Sequence, residues 1–259
     1  MERRGAFLPV IGSLVALAWL TLALWERSPY GRYLEHGDWT AGGLAAEICR
    51  VLPDGPVLLP ALIYVAGWLL MSVAMMLPSI VPLLDIFRRV SSARPDRHVL
   101  MALVVAGYLG VWLLFGIAAR GLDLAAHGLA GGAALAPHAW LLGAAVIALA
   151  GLFELSPLKH LCLDKCRTPM SFVIQHWRGT AHRRQALLLG VHHGAFCVGC
   201  CWAIMLMMLV VGMGNVGLML MLGAIMAIEK NVTWGARMSV PLGAALLCWS
   251  AAIAAENVF

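Results

Sequence analysis

The stretch "GVHHGAFCVGCCWAIMLMM", residues 190–208, sets two histidines, three cysteines and three methionines in a run otherwise apolar enough to cross a bilayer. A helix crosses the hydrocarbon core in about 20 apolar residues, and this segment reads as one such span, 186–211. Coiled at the α-helical period, it brings His193, Cys197, Cys200, Cys201, Met207 and Met208 within roughly a third of the circumference, while His192 points elsewhere. A methionine stripe is ordinary core packing, and a single membrane cysteine is a small apolar filler. Three cysteines in five residues with a histidine one turn below are not.

The rest of the chain supports a membrane setting. Of its 259 residues, 62% are hydrophobic and 12% charged, with a mean hydropathy of +0.87. Soluble domains carry about 25% charged residues, so the solvent around this chain is lipid. Further spans are expected near 8–25, 58–77, 99–119, 139–155, 215–228 and 238–256. The sixth span along the chain is short and the fourth marginal, which gives an all-α bundle of six or seven transmembrane helices in a single domain. The segment 121–138, rich in Gly and Ala and carrying Asp123, His127 and His138, reads as a loop or a partial re-entrant helix. The first span follows "MERR" but lacks a small-residue cleavage site, so it is expected to be a retained helix.

Lysine and arginine placement sets the expected orientation. Fourteen of the eighteen fall on one side of a seven-span map, and the other side receives only Arg27, Arg32, Arg50 and Arg120. This places the N-terminus in the cytoplasm and the chain in the inner (plasma) membrane as a multi-pass protein. The net charge of +5 is thus an orientation signal and not a nucleic-acid footprint. Of seven cysteines only Cys49 lies in an expected external segment, which excludes a disulfide-stapled ectodomain.

Residues 1–155 read mainly as scaffold, and the chemistry is concentrated in 156–230. "SPLKHLCLDKCRTP" begins with Ser156 as N-cap and Pro157 at the first helical position, and Pro169 stops it, defining a short helix outside the fourth span. Lys159, Cys162 and Cys166 share one face of it; His160, Asp164 and Arg167 share the other, expected to meet solvent. In the second span Met71 and Met75 stack one turn apart above Pro78, which should end or kink that helix. The next-to-last span aligns Met219, Met226 and Lys230, with Glu229 beside them. Gly190 and Gly194 let a neighbouring helix approach at the foot of the cysteine stripe.

Soft thiolate and thioether donors favour Cu(I), with Zn(II) and other thiophilic metals behind. Carboxylates that would suit harder cations occur only at span ends, as Glu154 and Glu229. Cu(I) between two thiolates carries a net negative charge that is costly to bury unpaired, and Lys159 or Lys230 would neutralise it.

Four pieces, "WLLMSVAMMLPS", "SPLKHLCLDKCRTP", "GAFCVGCCWAIM" and "EK" at 229–230, together cover residues 68–230. In them the chain resembles the bacterial family of predicted metal-binding integral membrane proteins defined by a domain of unknown function. The resemblance implies metal binding, and carried over by position it points to Met71, Met75, Met76, Lys159, Cys162, Cys166, Cys197, Cys200, Cys201, Glu229 and Lys230.

The leading expectation is a membrane protein that binds Cu(I) through intramembrane Cys, His and Met for transport, storage or delivery. Its partners would be the bilayer, the metal, and other membrane subunits or a metal chaperone. It would not be an ATPase, because no phosphate-binding Gly-x4-Gly-Lys-[Ser/Thr] loop is present. The alternatives are a thiol–disulfide oxidoreductase that uses "CVGC" and "CLDKC" as exchanging pairs, or a structural subunit of a larger membrane complex.

Overall fold

The computed structural model describes residues 4–28, 58–130, 139–177, 181–211 and 216–258. The α-helices are α1 (Arg4–Glu26), α2 (Leu58–Val90), α3 (Arg97–Ala130), α4 (Ala139–Glu154), α5 (Pro157–Arg167), α6 (Pro169–His176), α7 (His182–Val211), α8 (Val216–Asn231) and α9 (Ser239–Val258). A 3-10 turn, Gly235–Met238, joins the last two. The expected external segment with Cys49, and the side chains of Asp123, His127 and His138, lie outside the described residues.

Among the described residues, five helices are long and apolar enough to cross a membrane: Pro9–Glu26, Leu62–Val90, Arg97–Leu122, His182–Met208 and Gly235–Asn257. A sixth crossing results if α4 and α5, bent by 62° at a short break, form one broken span. The outer surface agrees with this composition. Leu14, Leu17, Leu20 and Leu24 on α1, Leu114 and Ile117 on α3, and Leu149 and Leu152 on α4 are all exposed. In water such a belt would be an aggregation surface; here it is the face that meets lipid. The chain is a multi-pass membrane protein.

Two elements run further than the sequence suggests. Helix α2 does not end at Pro78 but passes through both Pro78 and Pro82 to Val90. Prolines persist inside membrane helices where hydroxyls and neighbouring helices satisfy the backbone groups they disturb. The N–H groups that Pro78 and Pro82 lack would have met the carbonyls of Ala74 and Pro78. Beside them, Ser79 Oγ donates to the Met76 carbonyl at 2.7 Å and Tyr108 Oη donates to it from α3 at 3.1 Å, tying this part of the helix to its neighbour. Helix α3 continues through the Gly- and Ala-rich segment as far as Ala130, so residues 121–130 are helical and not a loop.

The core is built on α7, whose most extensive neighbour is α3. Their close approach depends on small residues, as expected from the Gly-x3-Gly spacing. A Cβ on Gly190 would collide with the Val104 carbonyl oxygen, and one on Gly194 would lie 3.1 Å from Val111 Cβ and 3.2 Å from the Tyr108 oxygen. Helix α2 is fastened to α3 by Trp68 Nε1 donating to the Trp112 carbonyl at 2.8 Å and Tyr64 Oη donating to the Gly116 carbonyl at 3.0 Å. Helix α9 packs on α4, with Ser250 Oγ donating to the Ala144 carbonyl at 2.8 Å.

Because the atom above Gly190 is backbone, it cannot rotate away from an added methyl. Gly190→Ala is expected to lower stability by about 1–3 kcal/mol, the usual cost of overpacking a filled contact. Thermal unfolding of the detergent-solubilised protein measures this, with Gly12→Ala, where a Cβ meets nothing within 4 Å, as the silent control.

Candidate functional site

Helix α5 begins as its sequence dictates. Ser156 has an extended backbone, its Oγ accepts the Lys159 N–H at 3.2 Å, and Pro157 occupies the first turn, where a missing N–H costs nothing. The bend after α4 turns this short helix so that Lys159, Leu163 and Cys166 face inward and are buried. The inward face predicted for Lys159 and the cysteines is therefore present. Cys162, half-buried, rests on α7: a Cβ on Gly199 would stand 2.9 Å from its Sγ. Asp164 is exposed as expected. Arg167 is not left to solvent: its guanidinium donates to the carbonyls of Glu229 at 2.7 Å, Val232 at 2.9 Å and Thr233 at 2.7 Å, filling the open carbonyls at the end of α8.

The α7 stripe also lies inward. His193, Cys197, Cys200, Cys201, Met207 and Met208 are all at most 2% exposed, and His192 is exposed. The thiols of α5 and α7 converge. Cys166 Sγ lies 3.9 Å from Cys200 Sγ, Cys200 Sγ lies 3.4 Å from Cys201 Sγ, and the Cys200 thiol donates to the Cys197 carbonyl at 3.1 Å. One patch of sulfurs thus spans two helices, so the separation expected had α5 stayed at the membrane surface does not arise. The six cysteines of the described residues are free thiols.

Lys230, at the end of α8, completes this cluster. Its Nζ donates to Cys197 Sγ at 2.9 Å, to Ser79 Oγ at 3.5 Å and toward Met76 Sδ at 4.0 Å. Tyr108 Oη stands 3.0 Å from the same Cys197 sulfur. The Cys197 thiol on α7 is thus met by α3 and α8, and α2 reaches the same group through Lys230. The methionine near that ammonium is Met76; Met71 and Met75 are buried on α2, with Met75 carbons 3.5 and 3.6 Å from where a Gly223 Cβ would be. Tyr108 and Ser79 were not singled out from sequence. A tyrosine in the middle of an apolar span is the signal that could have found one of them, since a buried phenol needs a partner.

Lys159 belongs to a different group from the one first expected. Its Nζ pairs with the Glu154 carboxylate and donates to both Glu229 oxygens at 2.9 Å, and Ser239 Oγ donates to Glu229 Oε1 at 2.9 Å. All four side chains are buried. Of the two lysines proposed to balance thiolate charge, Lys230 alone lies against a sulfur, whereas Lys159 and Glu229 form an ion cluster that joins α4, α5, α8 and the start of α9.

Chemically, the site offers soft sulfur donors beside an ammonium in a water-poor interior. Among the described residues no three His, Cys, Asp or Glu side chains are arranged in a group that could hold a metal ion. The sulfurs come instead as close pairs, which suits a soft ion of low coordination number better than a tetrahedral or octahedral cation.

A model of the PpoB2 copper chaperone family matches residues 65–253. That range covers most of the chain and includes every thiol, lysine and glutamate just described, so the chain belongs to this family. No curated protein and no solved structure matches it.

A buried ion cluster that loses its single cation is left with two uncompensated carboxylates. Lys159→Met is expected to destabilise the protein by roughly 3–5 kcal/mol, read as a fall in the thermal midpoint in detergent. Adding Glu154→Gln and Glu229→Gln to the same chain should recover much of that loss.

Proposed function

We propose that this member of the copper chaperone family takes up a single Cu(I) ion between two thiols of the sulfur patch that Cys166, Cys197, Cys200 and Cys201 form, and holds it for delivery to an acceptor. The observation that carries the reading is the Lys230 ammonium 2.9 Å from Cys197 Sγ, both groups buried. A lysine is expensive to bring into a bundle interior. A permanent negative unit there gives it a partner, and a thiolate-bound monovalent ion is such a unit.

In this reading copper is the cargo. The sulfurs supply soft donors, Lys230 offsets the negative charge, and Tyr108 and Ser79 hold Cys197 and Lys230 in place. Met76 is a thioether within reach of the same ammonium. Helix α5 brings Cys166 to the ion from a second helix, so moving α5 relative to α7 would remove a ligand and release the cargo by exchange with an acceptor's thiols. The Cys166–Cys200 approach also favours a second reading, thiol–disulfide exchange between those two sulfurs.

Replacing Cys197 and Cys200 by Ser should remove the bound copper and leave the fold largely intact, because Ser is smaller and bonds back to a helix carbonyl. Copper per protein, measured by elemental analysis after purification without chelator, should fall to background. Lys230→Met should lower Cu(I) affinity without removing a ligand. Equal metal in wild type and double variant would overturn the copper site, and a Cys166–Cys200 disulfide in copper-free wild type would favour exchange.

We also infer a cytoplasmic N-terminus from the Lys and Arg distribution. A cysteine introduced at Ser92, in the turn between α2 and α3, should then resist an impermeant thiol label in intact cells and react after permeabilisation.

A further inference from the structure

Beside the sulfur patch stands a second set of donors that the proposed copper site does not use. His176, the last residue of α6, is half-buried, and its Nδ1 lies 2.9 Å from the Phe172 carbonyl oxygen. A carbonyl can only accept, so Nδ1 is the donor of this contact, which leaves Nε2 as the ring nitrogen able to face a metal ion. That arrangement is characteristic of metal-ligating histidines, whose second ring N–H is held by a backbone carbonyl or carboxylate. The exposed His192 ring lies 4.9 Å from it, centroid to centroid, tilted by 52°. With metal–nitrogen bonds of about 2 Å, two imidazoles on one ion sit roughly 5–6 Å apart between centroids, so this pair is already close to ligating separation.

The next residue leads inward. His193 is 2% exposed, and its Nδ1 has no hydrogen-bond partner in the described structure. Leaving a buried polar nitrogen unpaired is unfavourable, and nothing in the packing compensates it. Phe172 joins the two levels, stacked on His176 at 4.3 Å and edge-on to His193 at 5.3 Å. On its far side His193 faces the Tyr108 ring at 6.1 Å, and Tyr108 touches Cys197. Cys197 itself lies one turn further along α7, about 6 Å of rise.

We propose that His176 and His192 form a peripheral loading site for a copper ion, from which His193 passes the ion inward to Cys197. The proposal rests on the copper-site reading above. Imidazole binds copper less tightly than thiolate does, so the thiol patch is the tighter site for a soft ion and draws it inward, with His193 as a transient ligand between the two ends. His193 displaces one of the two imidazoles, the Cys197 sulfur displaces the other, and a second thiol then displaces His193, so that each copper–nitrogen bond broken is matched by a bond formed and the ion remains Cu(I) throughout.

The test uses the full-length protein in lipid nanodiscs, loaded from a chromogenic Cu(I) chelator complex in a stopped-flow instrument. His176→Gln/His192→Gln should load about tenfold more slowly, yet reach the same final copper per protein as wild type. His192→Gln alone, at an exposed position, should keep the wild-type thermal midpoint and still load slowly. In the Cys197→Ser/Cys200→Ser chain, X-ray absorption at stoichiometric copper should show nitrogen scatterers whose number falls when His176 and His192 are also changed. Unchanged loading rates in both histidine variants, or slowing that merely tracks lost folded protein, would overturn the loading site and leave the thiol site standing. Wild-type protein that takes up no copper would overturn the thiol site and this proposal with it.

Discussion

The Lys159 ammonium, enclosed by the carboxylates of Glu154 and Glu229, is the contact around which the second half of the bundle closes. Hydrocarbon and close-packed side chains offer these groups no water, so each must find its counter-charge inside the protein or be expelled. Meeting that condition puts the end of α4, the first turn of α5 and the end of α8 in one place. Ser239 adds the start of α9 to the same point, and Arg167 ties α5 to the last carbonyls of α8. The 62° bend between α4 and α5 is the shape the chain takes when Glu154 and Lys159, five residues apart, address the same pocket.

The sulfur patch inherits its geometry from this arrangement. Glu229 and Lys230 are consecutive on α8 but serve different groups: the carboxylate faces Lys159, and the ammonium faces Cys197. Holding Glu229 therefore aims Lys230. Holding Lys159 likewise orients Cys166, two turns along the same face of α5, toward Cys200. The glycines at 190 and 194 do the corresponding work on the other side, letting α3 come close enough for Tyr108 to touch the Cys197 sulfur.

What could be read from the sequence was what depends on neighbours along the chain. The Ser156-Pro157 helix start is a matter of backbone chemistry within one turn. The inward stripe of α7 follows from the helical period, and the lipid-facing surface from composition. Pairings across the bundle were less legible. Nothing local distinguishes Lys159, which meets carboxylates, from Lys230, which meets a thiol. Nor does spacing reveal that Met76, and not Met75, approaches the ammonium, or that Arg167 turns back to cap α8. Pro78 misled because the rule that proline ends a helix is calibrated where water competes for the backbone; inside a bundle the helix has no better alternative.

Helix α8 has 16 residues, about 24 Å at 1.5 Å per residue, against about 30 Å of hydrocarbon. Its terminal lysine is nevertheless buried, with the ammonium against the Cys197 sulfur and not turned out to water. At the proposed copper site this gives the protein a means of sorting ions by valence. Two thiolates, one ammonium and a monovalent cation sum to zero, whereas a divalent cation on the same groups leaves a surplus positive charge with no solvent to disperse it. Discrimination of Cu(I) against Zn(II) would then come from one buried ammonium as much as from the softness of the ligands.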